Sequence, residues 1–292
     1  MKTRSTENIF SPPPVHFVGD GFRVHNFIPG VRQLSMERMD PFILLDYNSR
    51  YYFTPTDTPR GVGVHPHRGF ETVTIAYSGR IAHHDSFGNS GVIGEGDVQW
   101  MTAASGLLHK EYHDKEFARK GGDFHMVQLW VNLPEEYKMS QPKYQPITNG
   151  EMGRHVLDND GGVIEVIAGN YYNTEGPAST FTPISIMNAK LKKSGTASFE
   201  FPSSYNTALL VIEGKVVVNG SEPVPTDHFV LFRNDGEQFT LDATEDSIVL
   251  VMSGEPIHEP IAAHGPFVMN TKTQIYQAFE DLEKGKFGTL ED

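Results

Sequence analysis

The stretch HPHRGFETV, residues 65–73, sets His65 and His67 one residue apart, with Glu71 four residues after the second histidine. Further on, SGLLHKEYH repeats the spacing with His109 and Glu111. In an extended strand, residues i and i+2 point to one side, so His65 shares a face with His67, and His109 with Glu111. Either pair alone is compatible with polar residues on the outside of a strand. If the two segments pass each other inside a β-barrel, three imidazoles and one carboxylate converge. Such a nitrogen and oxygen set suits a divalent transition metal of borderline hardness. Four protein ligands leave one or two positions open on a five- or six-coordinate ion, as a catalytic site requires. A site closed by water alone would present the same pattern.

The rest of the composition narrows the chemistry. The 292 residues contain no cysteine, which excludes disulfides, thiolate zinc sites, iron–sulfur clusters and cysteine nucleophiles. The formal net charge is −13, with no basic run longer than Lys192-Lys193. Phosphate neutralisation needs clustered Lys and Arg, so direct nucleic-acid binding is not expected. A protein partner remains compatible with the acidic charge. The opening MKTRSTENIFSPPP lacks the apolar core of a signal peptide, and runs such as Ala208 to Ile212 are too short to span a bilayer. The chain reads as soluble and cytoplasmic, without a membrane role.

The elements that must position these residues read as strands separated by turns, in keeping with 28 Gly and 19 Pro. Strand candidates are Glu71 to Tyr77, Gly91 to Met101 (two strands around a Gly-Glu-Gly turn), Phe124 to Leu133, Gly162 to Ala168, Thr182 to Leu191, Ala208 to Val218, His228 to Phe232 and Ser247 to Met252. Residues 136–150 are polar and Pro-rich and read as a linker between domains 1–135 and 151–292. The second domain ends in a helix over 271–284. There Ile275, Ala278, Phe279 and Leu282 form one apolar face, Thr271 with Gln274 fits a capping box, and Gly285 fits the C′ position. Asn219-Gly220 reads as a hairpin turn.

An internal repeat aligns Gly79 with Gly214, Asp97 with Asp227 and Gly106 with Gly236. Two copies of one β-domain account for it. In these registers His65, His67 and Glu71 fall opposite Glu200, Pro202 and Asn206, and His109 and Glu111 opposite Phe239 and Leu241. The second domain is therefore expected to have an apolar interior and no metal.

The segment GVGVHPHRGFETVTIAYSG (61–79) resembles the first cupin motif, and GDVQWMTAASGLLHKE (96–111) resembles the second in the form used by pirins. DPFILLDY (40–47), HHDSFGNSGVI (83–93), QLWVNLP (128–134) and GEPIHEPIAAHGPFVMNT (254–271) are also similar to pirins. The resemblance implies an all-β bicupin fold, with two antiparallel jelly-roll barrels and a C-terminal helix packed on them. It implies one metal in the N-terminal barrel, held by His65, His67, His109 and Glu111. Iron(II) is the first expectation, with nickel, copper, manganese, cobalt or zinc compatible. Members resemble quercetin 2,3-dioxygenases, so a small aromatic substrate and O2 are implied. Eukaryotic members are associated instead with transcriptional co-regulation, which makes a non-enzymatic, redox-dependent interaction protein the alternative.

On the dioxygenase reading the metal acts as a Lewis acid on the substrate hydroxyl, Glu111 takes its proton, and the heterocycle opens with loss of carbon monoxide. Phe53, Phe70, Trp100 and Met126 are expected to wall the pocket. Glu71 is either a ligand or a hydrogen-bond partner of one, because Gly69 invites a bulge that breaks the strand count. His125 reads as a pocket-mouth or core residue, His83 and His84 as residues of an outer or rim strand, and His113 as a surface residue. Ala104-Ser105 departs from the glycine and basic residue common in the family.

Overall fold

The computed structural model describes residues 1–221 and 223–291. It is built from antiparallel strands that form two compact units, each a seven-stranded sheet facing a four-stranded one. The β-sheets are cupin-like sandwiches and do not close into barrels. No helix among the described residues is long and apolar enough to cross a membrane.

One unit comprises residues 13–37, 41–149 and 257–292. Its large sheet orders the strands Lys143–Ile147, Val98–Thr102, Phe70–Ser78, Gly122–Asn132, Phe42–Phe53, Phe22–Ile28 and Val15–Val18. Its small sheet orders Gly61–His67, Leu107–His113, Ile81–Asp85 and Ser90–Ile93. The chain crosses from the small sheet to the large one at Arg68-Gly69. Gly69 has φ +93°, and a Cβ there would lie 1.9 Å from the Val268 carbonyl oxygen, so only glycine admits the strand that passes over it.

The other unit comprises residues 1–12, 38–40 and 150–256. Its core joins Ile164, Val166, Met187, Leu209, Val211 and Val251 of the large sheet to Phe199, Val216, Phe239 and Leu241 of the small one. Phe239 and Leu241, the positions aligned with His109 and Glu111, are apolar core residues here. Gly79 and Gly214 sit at equivalent turns with φ +87° and +78°. Asn219 and Gly220 (φ +51° and +65°) turn the hairpin between Lys215–Val218 and Pro223–Pro225.

The unit boundaries differ from the expected 1–135, 136–150 and 151–292. The N-terminal strand Thr6–Phe10 pairs with Phe229–Phe232 in the C-terminal unit's sheet. The expected linker supplies the strand Lys143–Ile147, which pairs with Val98–Thr102. It also supplies buried Lys138, whose Nζ donates to Gly69 O (2.8 Å), Asn132 Oδ1 (2.6 Å) and Val268 O (3.1 Å). The helix Lys272–Glu283 has the expected capping box at Thr271 and Gln274. It packs Ile275, Ala278, Phe279 and Leu282 with Phe267, Met269, Phe287 and Leu108, all in the unit that carries the HPH segment. Strand pairing decided the first two memberships and burial of an apolar face that of the helix, and position along the chain reveals neither.

Candidate metal centre

Strands Gly61–His67 and Leu107–His113 run antiparallel, with His65 opposite His109 and His67 opposite Leu107. The register shifts between His109 and Glu111, a β-bulge of the kind found beside functional sites. Ring centroids lie 4.2 Å apart for His65 and His109, 4.8 Å for His67 and His109, and 4.9 Å for His65 and His67. One ligating atom from each of the three lies within 4.8 Å of the other two.

The ring tautomers follow from the partners. His65 Nδ1 lies 2.8 Å from Gly63 O, and His67 Nδ1 lies 3.4 Å from Pro266 O. A carbonyl oxygen only accepts, so both Nδ1 atoms carry hydrogen, and Nε2 is the atom each ring can offer to a cation. Burial, and then the neighbouring His65, holds His67 well below the ordinary histidine pKa, against the Pro266 contact. Burial, followed by His65, His67 and His83, lowers His109 in the same direction. Neutral imidazoles are the form that ligates. His109 Nε2 is buried with no hydrogen-bond partner among the described residues. A divalent cation would satisfy it, and so the donor set fits a metal.

Glu111 occupies the same strand but is held slightly apart from the three imidazoles. Its carboxylate groups with His83 and His109, again with ligating atoms within 4.8 Å of one another. Gln99 Nε2 donates to Oε1 at 3.1 Å and Gln128 Nε2 to Oε2 at 3.3 Å. Thr74 Oγ1 lies 3.3 Å from Oε1 and 2.5 Å from Gln128 Oε1.

His65 and His67 open onto a cavity of about 260 Å³ lined also by Val24, Val62, Met126 and Trp130, with Asp46, Gln128 and Glu111 as polar groups. Of the expected wall residues, Met126 lines it. Phe70 stacks on Trp130 (centroids 4.1 Å) and meets the His67 ring edge at 5.1 Å. Phe53 lies behind the wall, in a cluster with Phe22, Phe124 and Met126. Trp100 and Glu71 face the other side of the large sheet. Gln99 and Thr74 are cross-strand partners reaching Glu111, so Trp100, and Glu71 three residues before Thr74, alternate away. Glu71 accepts from Thr102 Oγ1 at 2.7 Å, and burial pushes its pKa up to about 7. The turn at Arg68-Gly69 separates it from the HPH strand. His125 is a core residue, its Nε2 2.9 Å from Tyr47 Oη.

Two histidines lie elsewhere than expected. His113 is buried, Nε2 donating to Gly21 O at 2.8 Å among Phe53, Phe117 and Phe124. His83 is fully buried, directly opposite Glu111 and stacked on Tyr144 (centroids 5.1 Å, interplanar angle 9°). Ala104 has φ +41°, in the left-handed region that favours glycine. Sequence reasoning missed Thr74, Gln99, Gln128, Asp46, Trp130 and Tyr144. The available signal for the two glutamines was a polar side chain inside an apolar strand, VQWMT and HMVQLWV.

Two cupin-like β-sandwich units, one with three convergent imidazoles, define a bicupin with a candidate metal centre. The pirin family signature matches residues 21–131, and that of the pirin C-terminal cupin domain matches residues 186–288. The chain belongs to the pirin family. It is 46% identical to a Pseudomonas aeruginosa protein provisionally named quercetin 2,3-dioxygenase, over 93% of this chain and 94% of that one. It is 35% identical to Pirin-1 of Arabidopsis thaliana, over 92% and 90% of the two chains. The crystal structure of a quercetin 2,3-dioxygenase from Acinetobacter baumannii superposes with a TM-score of 0.93 at 44% identity, covering 99% of this chain and 100% of that one. A bacterial pirin from Escherichia coli in complex with nickel(II) has the same fold, with a TM-score of 0.65 at 19% identity, covering 85% and 100%.

Proposed function

We propose that this pirin is a metal-dependent dioxygenase of the quercetin 2,3-dioxygenase type, acting on a flavonol or a similar enolic or phenolic aromatic. His65, His67 and His109 hold one divalent ion, iron(II) being the first candidate, and Glu111 completes the set. The observation that carries the reading is the convergence of three imidazoles, two of them buried, at the end of an apolar cavity of about 260 Å³. That volume is just below the range usual for drug-sized ligands and suits a small aromatic.

A bound ion supplies Lewis acidity toward the substrate oxygen and, with iron or copper, one-electron chemistry. The remaining work belongs to the chain. Glu111 accepts the proton of the substrate hydroxyl at a carboxylate oxygen, held in place by Gln99 and Gln128. Val24, Val62, Met126 and Trp130 exclude water from the ring. Asp46, whose Oδ1 accepts from Asn26 Nδ2 at 2.7 Å, is a carboxylate on the cavity wall, placed to meet a second polar group of the substrate.

The test loads metal-free protein separately with Fe(II), Ni(II), Cu(II), Mn(II) and Co(II), then follows O2 uptake and carbon monoxide release with quercetin. One ion per chain with turnover is the expected result. Full occupancy without turnover for every ion would remove the enzymatic reading and leave a metal-dependent interaction protein. His67→Ala should lose the ion under either reading.

A further inference from the structure

We infer that His83, which is not among the expected ligands, sets the tautomer of His109, and that Asp85 in turn sets the tautomer of His83. The inference rests on the metal reading above and adds the positioning residues behind one of its ligands.

His109 Nδ1 and His83 Nδ1 lie 3.4 Å apart, both rings fully buried. Two imidazole nitrogens share a hydrogen only if one carries it and the other presents a lone pair. A neutral His109 that offers Nε2 to a cation carries its hydrogen on Nδ1 and donates it to His83. His83 Nδ1 is then the acceptor, and the ring hydrogen of His83 sits on Nε2. That atom lies 3.6 Å from Asp85 Oδ2, a buried carboxylate. Asp85 is itself fixed: its Oδ1 accepts from Phe87 N (2.9 Å) and Asn89 N (3.0 Å), and its Oδ2 from Asn89 Nδ2 (2.9 Å). The carboxylate favours hydrogen on the near nitrogen of His83, and the opposite tautomer would set two N–H groups head to head against His109. Metal-bound histidines commonly donate their second N–H to an acceptor that fixes ring orientation and raises ligand basicity. Here that acceptor is a second imidazole.

The plane of His83 is fixed as well. Tyr144 stacks on it, and the Tyr144 hydroxyl donates to Gln99 Oε1 at 3.4 Å, whose amide nitrogen reaches Glu111. Burial, then Glu111 and Asp85, pushes the Tyr144 phenol up to about 12, so it remains a donor. The His109 and Glu111 supports therefore meet at one aromatic ring.

The experiment compares Ni(II) binding by calorimetry at neutral pH in the full-length wild type, His83→Phe and His83→Asn, with folding checked by circular dichroism. It is paired with Co(II) absorption spectra of each loaded protein. Phenylalanine keeps the stack on Tyr144 and removes the acceptor. Asparagine places its Oδ1 near the position of the lost Nδ1 and keeps one. The expected result is one ion in the wild type, a Kd weakened roughly 10- to 100-fold in His83→Phe with an altered Co(II) spectrum, and near wild-type behaviour in His83→Asn. Equal affinity in the wild type and His83→Phe overturns the inference while leaving the metal site intact. Equal loss in both variants overturns it too, because a merely structural role gives that pattern. Two ions in the wild type, one of them lost in His83→Phe, would make His83 a ligand in its own right. No ion in the wild type would end the metal reading itself.

Discussion

Arg68 Nη1 lies 2.9 Å from Asp281 Oδ2, a buried ion pair that ties the residue following His67 to the terminal helix. Arg68 Nε also donates to Ser105 O at 2.7 Å, and the guanidinium sits 4.6 Å above the Phe287 ring. His67 and its neighbour are thus held from both sides by the last segment of the chain, through Pro266 and Asp281. Arg68→Ala removes one partner of this carboxylate and leaves Lys286 and Gln277 on its other oxygen, and should cost about 1.5 to 3 kcal/mol of stability, read by urea denaturation. A loss within 1 kcal/mol would show the pair to be dispensable.

Asp281 gives the same pair a pH signature. Lys286 first, then Arg68 and Gln277, hold its carboxyl down to about 2, against burial that pushes it up. The unfolded chain titrates near 3.8, so the stabilisation is present above that pH and is lost as pH falls through about 2. After discounting for solvent screening, about 1 to 2 kcal/mol should disappear over that window in the wild type. Unfolding curves of Asp281→Asn should lack this component of the acid transition.

Glu71 titrates with the opposite sign. Burial raises its pKa from 4.5 to about 7, so the folded state favours the protonated acid. That contribution is complete below pH 4.5 and is lost as pH rises through 7. Glu71→Gln should therefore be about 2 to 3 kcal/mol more stable than wild type above pH 7 and nearly equal to it near pH 4. Because Glu71 faces away from the imidazoles, metal stoichiometry should not change. A drop in bound metal would return Glu71 to the ligand set.

Lys138 is a buried ammonium with three acceptors, among them the carbonyls of Gly69 and Val268. Lys138→Met preserves much of the apolar stem and leaves these oxygens without their donor. Roughly 1 to 3 kcal/mol should be lost, with faster amide exchange at Gly69 and Val268 measured by hydrogen–deuterium exchange. Unchanged exchange there would separate Lys138 from the clamp.

Val62 belongs to the His65 strand and lines the cavity. Val62→Phe fills space without altering a donor atom. Metal content should stay at the wild-type level while KM for quercetin rises about tenfold or more, roughly the loss of 1.4 kcal/mol of binding. An unchanged KM would place the substrate elsewhere.

The histidine spacing and the helix with its capping box were legible because each depends on a short-range period, and the two-copy pattern because it shows when the chain is compared with itself. His65 and His67 share a face at any tertiary context, and Thr271 caps the helix with its own neighbours. The residues around the candidate ligands were not legible in the same way. His83 reaches His109 through a cross-strand register that pairs it with Glu111. Its parity with Ile81 and Asp85 hinted at an inward face, but the adjacent His84 offered the same residue type for either side. Glu71 was ambiguous because the turn at Gly69 resets the alternation. Arg68 and Lys138 look like surface cations until the chain that buries them is folded over.

The exchange of chain ends between the units has a consequence for biosynthesis. Arg68 and Asp281 are separated by 213 residues, which a ribosome takes roughly 10 to 40 s to polymerise at 5–20 residues per second. Throughout that interval the nascent HPH strand has neither the Pro266 carbonyl nor the terminal helix against it. The HPH strand therefore gains its full set of contacts only after the last segment of the chain has been made.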